Sequence, residues 1–273
     1  MKKFHLIRYL SLSICVACLV LVAGSALAQQ RPLLTEDPRL IPEGQMALEN
    51  GIGYFNRARF PVSGLGGNLL SILDGGAHFG FGRAEFQMRG TLRNNLWVRE
   101  GGTGLRDDWG DGEVSTKIAL VTELGRRPDV TFQAAVVLPN ASNEDGLGTD
   151  GTNFFAKLLF GKSAGPAYFF GNLGLGILDD AERAAAQQDV LTYGLATIID
   201  LSPRVRLAAE INGLTNPQSN PTLGGEDRAQ TRFGIQWDVF GMAWDAGVTA
   251  GLTDLDHRVG FVFGTTKRFT LWQ

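Results

Sequence analysis

RVRLAAEIN, residues 204–212, is the stretch on which the fold turns. Val205, Leu207, Ala209 and Ile211 share one side of an extended chain; Arg204, Arg206, Glu210 and Asn212 share the other, with Ala208 alone interrupting the polar set. A period of two is that of a strand whose faces meet different surroundings. The pattern returns further on, where Phe233, Ile235, Trp237 and Val239 oppose Arg232, Gln236 and Asp238. Across residues 85–98, Phe86, Met88, Leu92, Leu96 and Val98 oppose Glu85, Gln87, Arg89, Thr91, Arg93 and Asn95. Helical spacing fits none of these runs.

Working outward, the same alternation predicts twelve strands, over 44–57, 67–80, 84–98, 110–124, 129–139, 151–163, 166–178, 190–200, 203–212, 227–238, 242–251 and 257–270. Their connections alternate in length. Short ones fall at Gly82-Arg83, 125–128, Ala164-Gly165, Leu201-Ser202 and Phe240-Gly241, and longer ones around Pro61 and over 101–108, 140–150, 179–189 and 215–226. In an up-and-down barrel, successive connections lie at opposite ends, so alternating lengths follow from the topology; a Greek-key sandwich gives no reason for them. The strands also exceed the five or six residues usual in soluble sheets and match the 9–11 that a tilted membrane strand needs. Twelve of them close to a backbone radius of roughly 12 Å, a bore too wide for apolar side chains to fill. The expected fold is therefore an all-β, transmembrane, up-and-down antiparallel β-barrel of about twelve strands, with the polar face toward a lumen and the apolar face toward outer-membrane lipid.

Composition agrees. Glycine supplies 36 of 273 residues, about twice its usual share of roughly 7%, and is dispersed without a collagen period, as in crowded, tilted strands with many turns. Lys2, Lys3 and Arg8 precede an apolar run over 10–23 and a small-x-small site, Ala26-Leu27-Ala28, so residues 1–28 read as a signal peptide cut after Ala28. Cys15 and Cys18 leave with it, which excludes a disulfide scaffold. The chain carries 25 Lys+Arg against 28 Asp+Glu, and loss of three basic residues with the leader makes it more acidic, against nucleic-acid binding. Residues 29–43 contain Pro32, Pro38 and Pro42 and cannot form a regular strand. They form a proline-rich segment, either tethered on the periplasmic side or inserted as a plug, ahead of a barrel domain over 44–273.

Several motifs in order carry a resemblance: RPLLTEDPRLIPEGQMALENG over 31–51, Trp109-Gly110-Asp111-Gly112 with Lys117 in the following strand, Val137-Leu138-Pro139 before a Gly/Asp-rich loop, residues 207–210, and the glycine-containing last strand over 259–269. In these the chain resembles the outer-membrane β-barrel family named for the MetA pathway of phenol degradation, whose members are often labelled "transporter". The resemblance implies a bacterial outer-membrane barrel and a role in passing hydrophobic or aromatic compounds. Two departures stand out. Trp272 is followed by Gln273, where outer-membrane barrels usually end on the aromatic residue that the barrel-assembly machinery reads. The 179–189 loop carries an Ala/Gln-rich turn in place of a Gly/Asp pattern.

Twelve charged residues are expected to line the lumen: Glu49, Glu85, Arg89, Arg93, Glu113, Lys117, Lys157, Arg206, Glu210, Arg232, Asp238 and Asp245. They either select the small-molecule solute or hold neighbouring strands in register, and the preference for arginine over lysine favours forked pairing within the wall. No cofactor or metal site is expected. The acidic loop with Asn143, Glu144, Asp145 and Asp150 offers oxygen ligands for Ca²⁺ but lacks the ordered twelve-residue pattern, so a solvated loop is the preferred reading. A lipid hydrolase would need a base beside a nucleophile, and His78 and His257, the histidines beyond the leader, have no Ser and acid partners at readable spacing. Trp97, Trp109, Trp237, Trp244, Phe269 and Trp272 fall near strand ends and read as interfacial girdles. The chain is thus expected to be a passive channel, the alternative being a structural or interaction barrel that acts through its long loops.

Overall fold

The computed structural model describes residues 31–181, 183 and 186–272. The expected leader and its cleavage site, Gln29, and the terminal Gln273 lie outside these residues. Thirteen strands and no helix occur among the described residues. In chain order they are β1 (Gln45–Phe60), β2 (Leu65–Phe81), β3 (Ala84–Glu100), β4 (Leu105–Asp108), β5 (Gly112–Val121), β6 (Asp129–Leu138), β7 (Asn153–Ala164), β8 (Ala167–Asp179), β9 (Gln187–Ser202), β10 (Val205–Thr215), β11 (Arg228–Val239), β12 (Met242–Gly251) and β13 (Val259–Thr270). Twelve match the sequence expectation to within a few residues. The thirteenth, β4, is four residues long and lies along the outer half of β3, from Asn94↔Asp108 to Trp97↔Leu105.

Each remaining strand pairs antiparallel with the next, β3 passes to β5, and β1 closes the ring against β13 from Gln45↔Thr270 to Asn56↔Val259. Closure leaves no open edge, the condition for β structure in hydrocarbon. Leu175, Leu195, Phe233 and Phe261 are each about 60% exposed on the outside, whereas Glu85, Gln133, Gln236 and Asp245 are 2% exposed or less on the inside. This is a soluble protein turned inside out, and the barrel is a transmembrane one. Trp272 packs on Phe81, and Trp237 and Trp244 both meet Phe263 near the short-turn end, as an interfacial girdle requires.

Two features depart from a plain cylinder. Residues 31–43 turn back into the ring from the short-turn end, and the way in is left open by Gly80, where a Cβ would lie 2.2 Å from the Pro42 carbonyl oxygen and 2.3 Å from that of Ile41. At the long-loop end β1, β2 and β3 run to 16 or 17 residues, and the register of β2 on β1 shifts at Leu73, whose φ is +52°. Beyond that bulge Leu65, Leu69, Leu96 and Val98 face inward and, with Phe60, surround Leu147 of the 139–152 loop. Ser63 Oγ donates to the Gly146 carbonyl at 2.8 Å and fastens that loop over the mouth.

Candidate functional site: an occluded lumen

The segment over 31–43 has no ladder to satisfy its backbone, so its N–H and C=O groups must find partners in the wall. Glu210 on β10 accepts from Leu34 N at 2.9 and 3.0 Å and from Thr35 N at 2.7 Å; Glu85 on β3 accepts from Ile41 N at 2.6 Å. The carbonyls are met by donors: Arg232 on Pro32 O at 2.5 Å, Thr131 on Pro38 O at 2.7 Å, Lys117 on Arg39 O at 3.1 Å, and Gln236 on Arg31 O. Side chains add the Arg89–Glu36 pair at 2.6 Å and the contacts of Arg31 with Asp74 at 3.3 Å and Asp245 at 3.5 Å. Leu33 is 2% exposed, inserted among Tyr168, Phe170, Ala196, Ile198 and Ala208. These residues span β2 to β12, so the segment crosses the whole bore.

On the long-loop side of this barrier lies a cavity of about 620 Å³, floored by Leu34, Thr35 and Glu36. The β1–β2 side carries Phe55, Phe60 and Leu69 beside Arg59 and Ser71; the opposite side carries Lys157, Asn172, Thr192, Asn212, Leu214 and Gln230. His257 closes the rim, with its ring edge-on to Phe55 at 5.0 Å. Burial, aided by the positive charge of Arg232, holds its imidazole below the usual range, so it is neutral at pH 7. On the short-turn side of the barrier, His78 sits between Glu85 at 3.2 Å and Glu49 at 3.8 Å, and Lys117 lies 3.6 Å from Glu85.

The twelve charges expected in the lumen divide as follows. Glu85, Arg89, Lys117, Glu210, Arg232 and Asp245 hold or neutralise the inserted segment. Glu113 and Lys157 face the cavity, Arg206 pairs with Asp238 at 3.2 Å, and Glu49 is buried beside His78 and Thr266. Arg93 is the exception. Ser71, which lines the cavity, donates to Asn94 at 2.7 Å, so Asn94 faces inward; its neighbour Arg93 turns away and pairs with Asp107 of β4. The same shift of phase corrects Leu96 and Val98, expected outside and found buried inside. His78, for which the sequence spacing offers no acid partner, lies in β2 and faces the lumen between two carboxylates, Glu85 and Glu49.

Carboxylates from β4, from the turn after it and from the loop itself hold the backbone of the 139–152 loop. Asp111 accepts from Asn140 and Ala141 N, Asp108 from Ser142 N at 2.5 Å, and Asp150 from Asn143 N at 3.0 Å. Burial raises the Asp111 carboxyl above its usual range. Among the described residues no group of three His, Cys, Asp or Glu is arranged to hold a metal ion.

No family profile and no curated protein matches the sequence. Solved structures do match the fold. An outer-membrane channel from Pseudomonas putida F1 is 12% identical and superposes over 85% of this chain and 98% of its own, with a TM-score of 0.63. The NanC porin (10% identity, 81% of this chain, 97% of that chain, TM-score 0.47) and the CymD monoaromatic hydrocarbon channel (10%, 92%, 94%, 0.45) align more loosely. At such identities the likeness shows the fold. With the closed ring and its apolar exterior, it places the chain in a bacterial outer membrane.

Proposed function

We propose that the protein is an outer-membrane channel for the passive passage of small molecules with an apolar or aromatic part, closed at rest by its own residues 31–43. The observation that carries this reading is the cavity ending on Leu34, Thr35 and Glu36: a solute entering from the long-loop side meets a backbone held by hydrogen bonds, and not a wall of the barrel. Such bonds are each worth about 0.5–1.5 kcal/mol net, or about 1.5–3 when one partner is charged, so the set holds the segment firmly yet reversibly. The ring does not need the segment for closure, since β1 and β13 pair directly.

The amphipathic cavity favours solutes with an apolar part, in keeping with the resemblance to the phenol-degradation family. The Pseudomonas neighbour is itself described as a channel. Flow follows the concentration gradient, and the mixed-sign lining formed by Glu113, Lys157, Arg206 and Asp238 sets the field on either side of the barrier. Uptake into proteoliposomes of aromatic acids, sugars and alkanes tests the proposal. Aromatic solutes should enter faster than sugars of similar size, and removal of residues 31–41 should raise both. An equal, protein-independent leak of every solute, with or without the segment, would reject a channel.

A further inference from the structure

Within the vestibule above the segment, the polar wall has an internal order. Two rows of facing residues cross it: Lys157↔Gly174↔Thr192 and, one step toward the short turns, Leu159↔Asn172↔Gly194↔Asn212. The glycines make room. A Cβ on Gly174 would lie 2.6 Å from Lys157 Cγ and 2.9 Å from Thr192 Oγ1, and one on Gly194 would lie 2.8 Å from Thr35 Oγ1 and 2.9 Å from Asn172 Oδ1. Around these two glycines the lysine, both threonines and the asparagines therefore draw close together.

Three of their polar atoms have no hydrogen-bond partner among the described residues. Thr35 and Thr192 are 2% and 9% exposed, and each hydroxyl lacks a hydrogen-bond partner, as does the buried Asn212 Nδ2. Native proteins seldom leave buried polar atoms in that state. Among the described residues Lys157 has no carboxylate within ion-pair distance; its ammonium lies 5.5 Å from the Phe155 ring. Four acids also line the cavity: Glu113 stands opposite Arg89 across the β3–β5 pair, Glu36 pairs with Arg89, Asp74 with Arg31, and Asp256 accepts from Thr253 of its own loop. Across the vestibule, Phe55, Phe60 and Leu69 present apolar side chains, with Arg59, Ser71 and His257 at their margin.

Resting on the channel reading, we infer that this wall is a binding site for the carboxylate of a small aromatic or branched apolar acid. Lys157 supplies the charge, Thr192 and Asn212 donate hydrogen bonds to the carboxylate oxygens, and Thr35 adds a donor from the inserted segment itself. The ring or alkyl body lies against Phe55, Phe60 and Leu69. An uncharged analogue leaves the lysine unpaired, and an ammonium analogue repels it, so selection follows from the head group and not from size. Because Thr35 belongs to the segment, an occupied site touches both the wall and the barrier.

The test uses the whole mature chain in detergent micelles and in liposomes. Binding of 4-fluorobenzoate, 4-fluorobenzyl alcohol and 4-fluorobenzylamine is followed by fluorine NMR, with Lys157→Gln and Thr192→Val as variants and heat-modified gel mobility as the check of folding. The acid should bind at least tenfold more tightly than the other two probes, and Lys157→Gln should remove roughly tenfold of that preference. Thr192→Val should weaken the acid alone. Equal binding of the three probes, or an unchanged preference in Lys157→Gln, would overturn the site. Liposome flux of sugars through a chain lacking residues 31–41 separates the two claims: flux with no acid preference rejects the carboxylate site and keeps the channel, whereas no flux rejects the channel.

Discussion

Glu210 is the residue on which closure depends most. Its carboxylate accepts from two consecutive backbone N–H groups and lies 3.8 Å from Arg232, which itself holds Pro32 O. Glu210→Ala leaves both N–H groups and a buried guanidinium without their acceptor, which should weaken docking by about 3 kcal/mol, roughly a hundredfold more displaced segment. The check is the labelling rate of Leu33→Cys in each background, since Cys15 and Cys18, the two cysteines of the sequence, fall in the expected leader and Leu33 is buried in the docked state. Equal rates would contradict the assignment. At this scale the sequence was only partly legible. Strict alternation puts Glu85, Arg89, Lys117, Glu210, Arg232 and Asp245 on the polar face, and in the structure each meets the inserted segment, because one phase runs through each of those positions. It failed for Arg93, Leu96 and Val98, because the bulge at Leu73, a positive φ on a non-glycine residue, leaves no mark in residue type.

Among the elements, the 139–152 loop and the β12–β13 connection each make a separate prediction. Leu147 anchors the former under Phe60, Leu69, Leu96 and Val98, so Leu147→Ala should loosen it by about 2–3 kcal/mol, read as faster hydrogen exchange over 141–148 with β6 and β7 unaffected. Exchange unchanged in the loop would mean that the Ser63–Gly146 bond suffices. In the β12–β13 connection, burial holds His257 neutral, with its pKa lowered below the ordinary value of about 6.5. A depressed pKa contributes stability that is complete above the unfolded value and is lost as pH falls through the folded one. Loop 252–258 should therefore open in acid, and His257→Gln should flatten that pH dependence of exchange; a slope unaltered by the substitution would assign it elsewhere. The strands were legible because each carries its own two-residue period over ten or more positions. The strand β4 was not: four residues among Gly101, Gly102 and Gly104 are too few to show a period, and pairing with the overhang of β3 makes them a strand.

For the whole molecule, the count of twelve, the alternating connections and the inside-out distribution all follow from closing a sheet in hydrocarbon, which is why they could be read in one dimension. Where the proline-rich segment lies could not. Three prolines exclude a ladder but say nothing of location, and the partners that hold the segment come from strands as distant in sequence as β3 and β11. Barrel and segment are energetically separate in this account: a chain lacking residues 31–41 should fold, float with outer-membrane vesicles and keep its heat-modified gel shift. The most direct measurement of the central claim is single-channel conductance in planar bilayers, comparing that shortened chain with the full mature one. The account predicts rare, brief openings for the full chain and long-lived open steps for the shortened one. Identical traces from the two, open or silent, would contradict it.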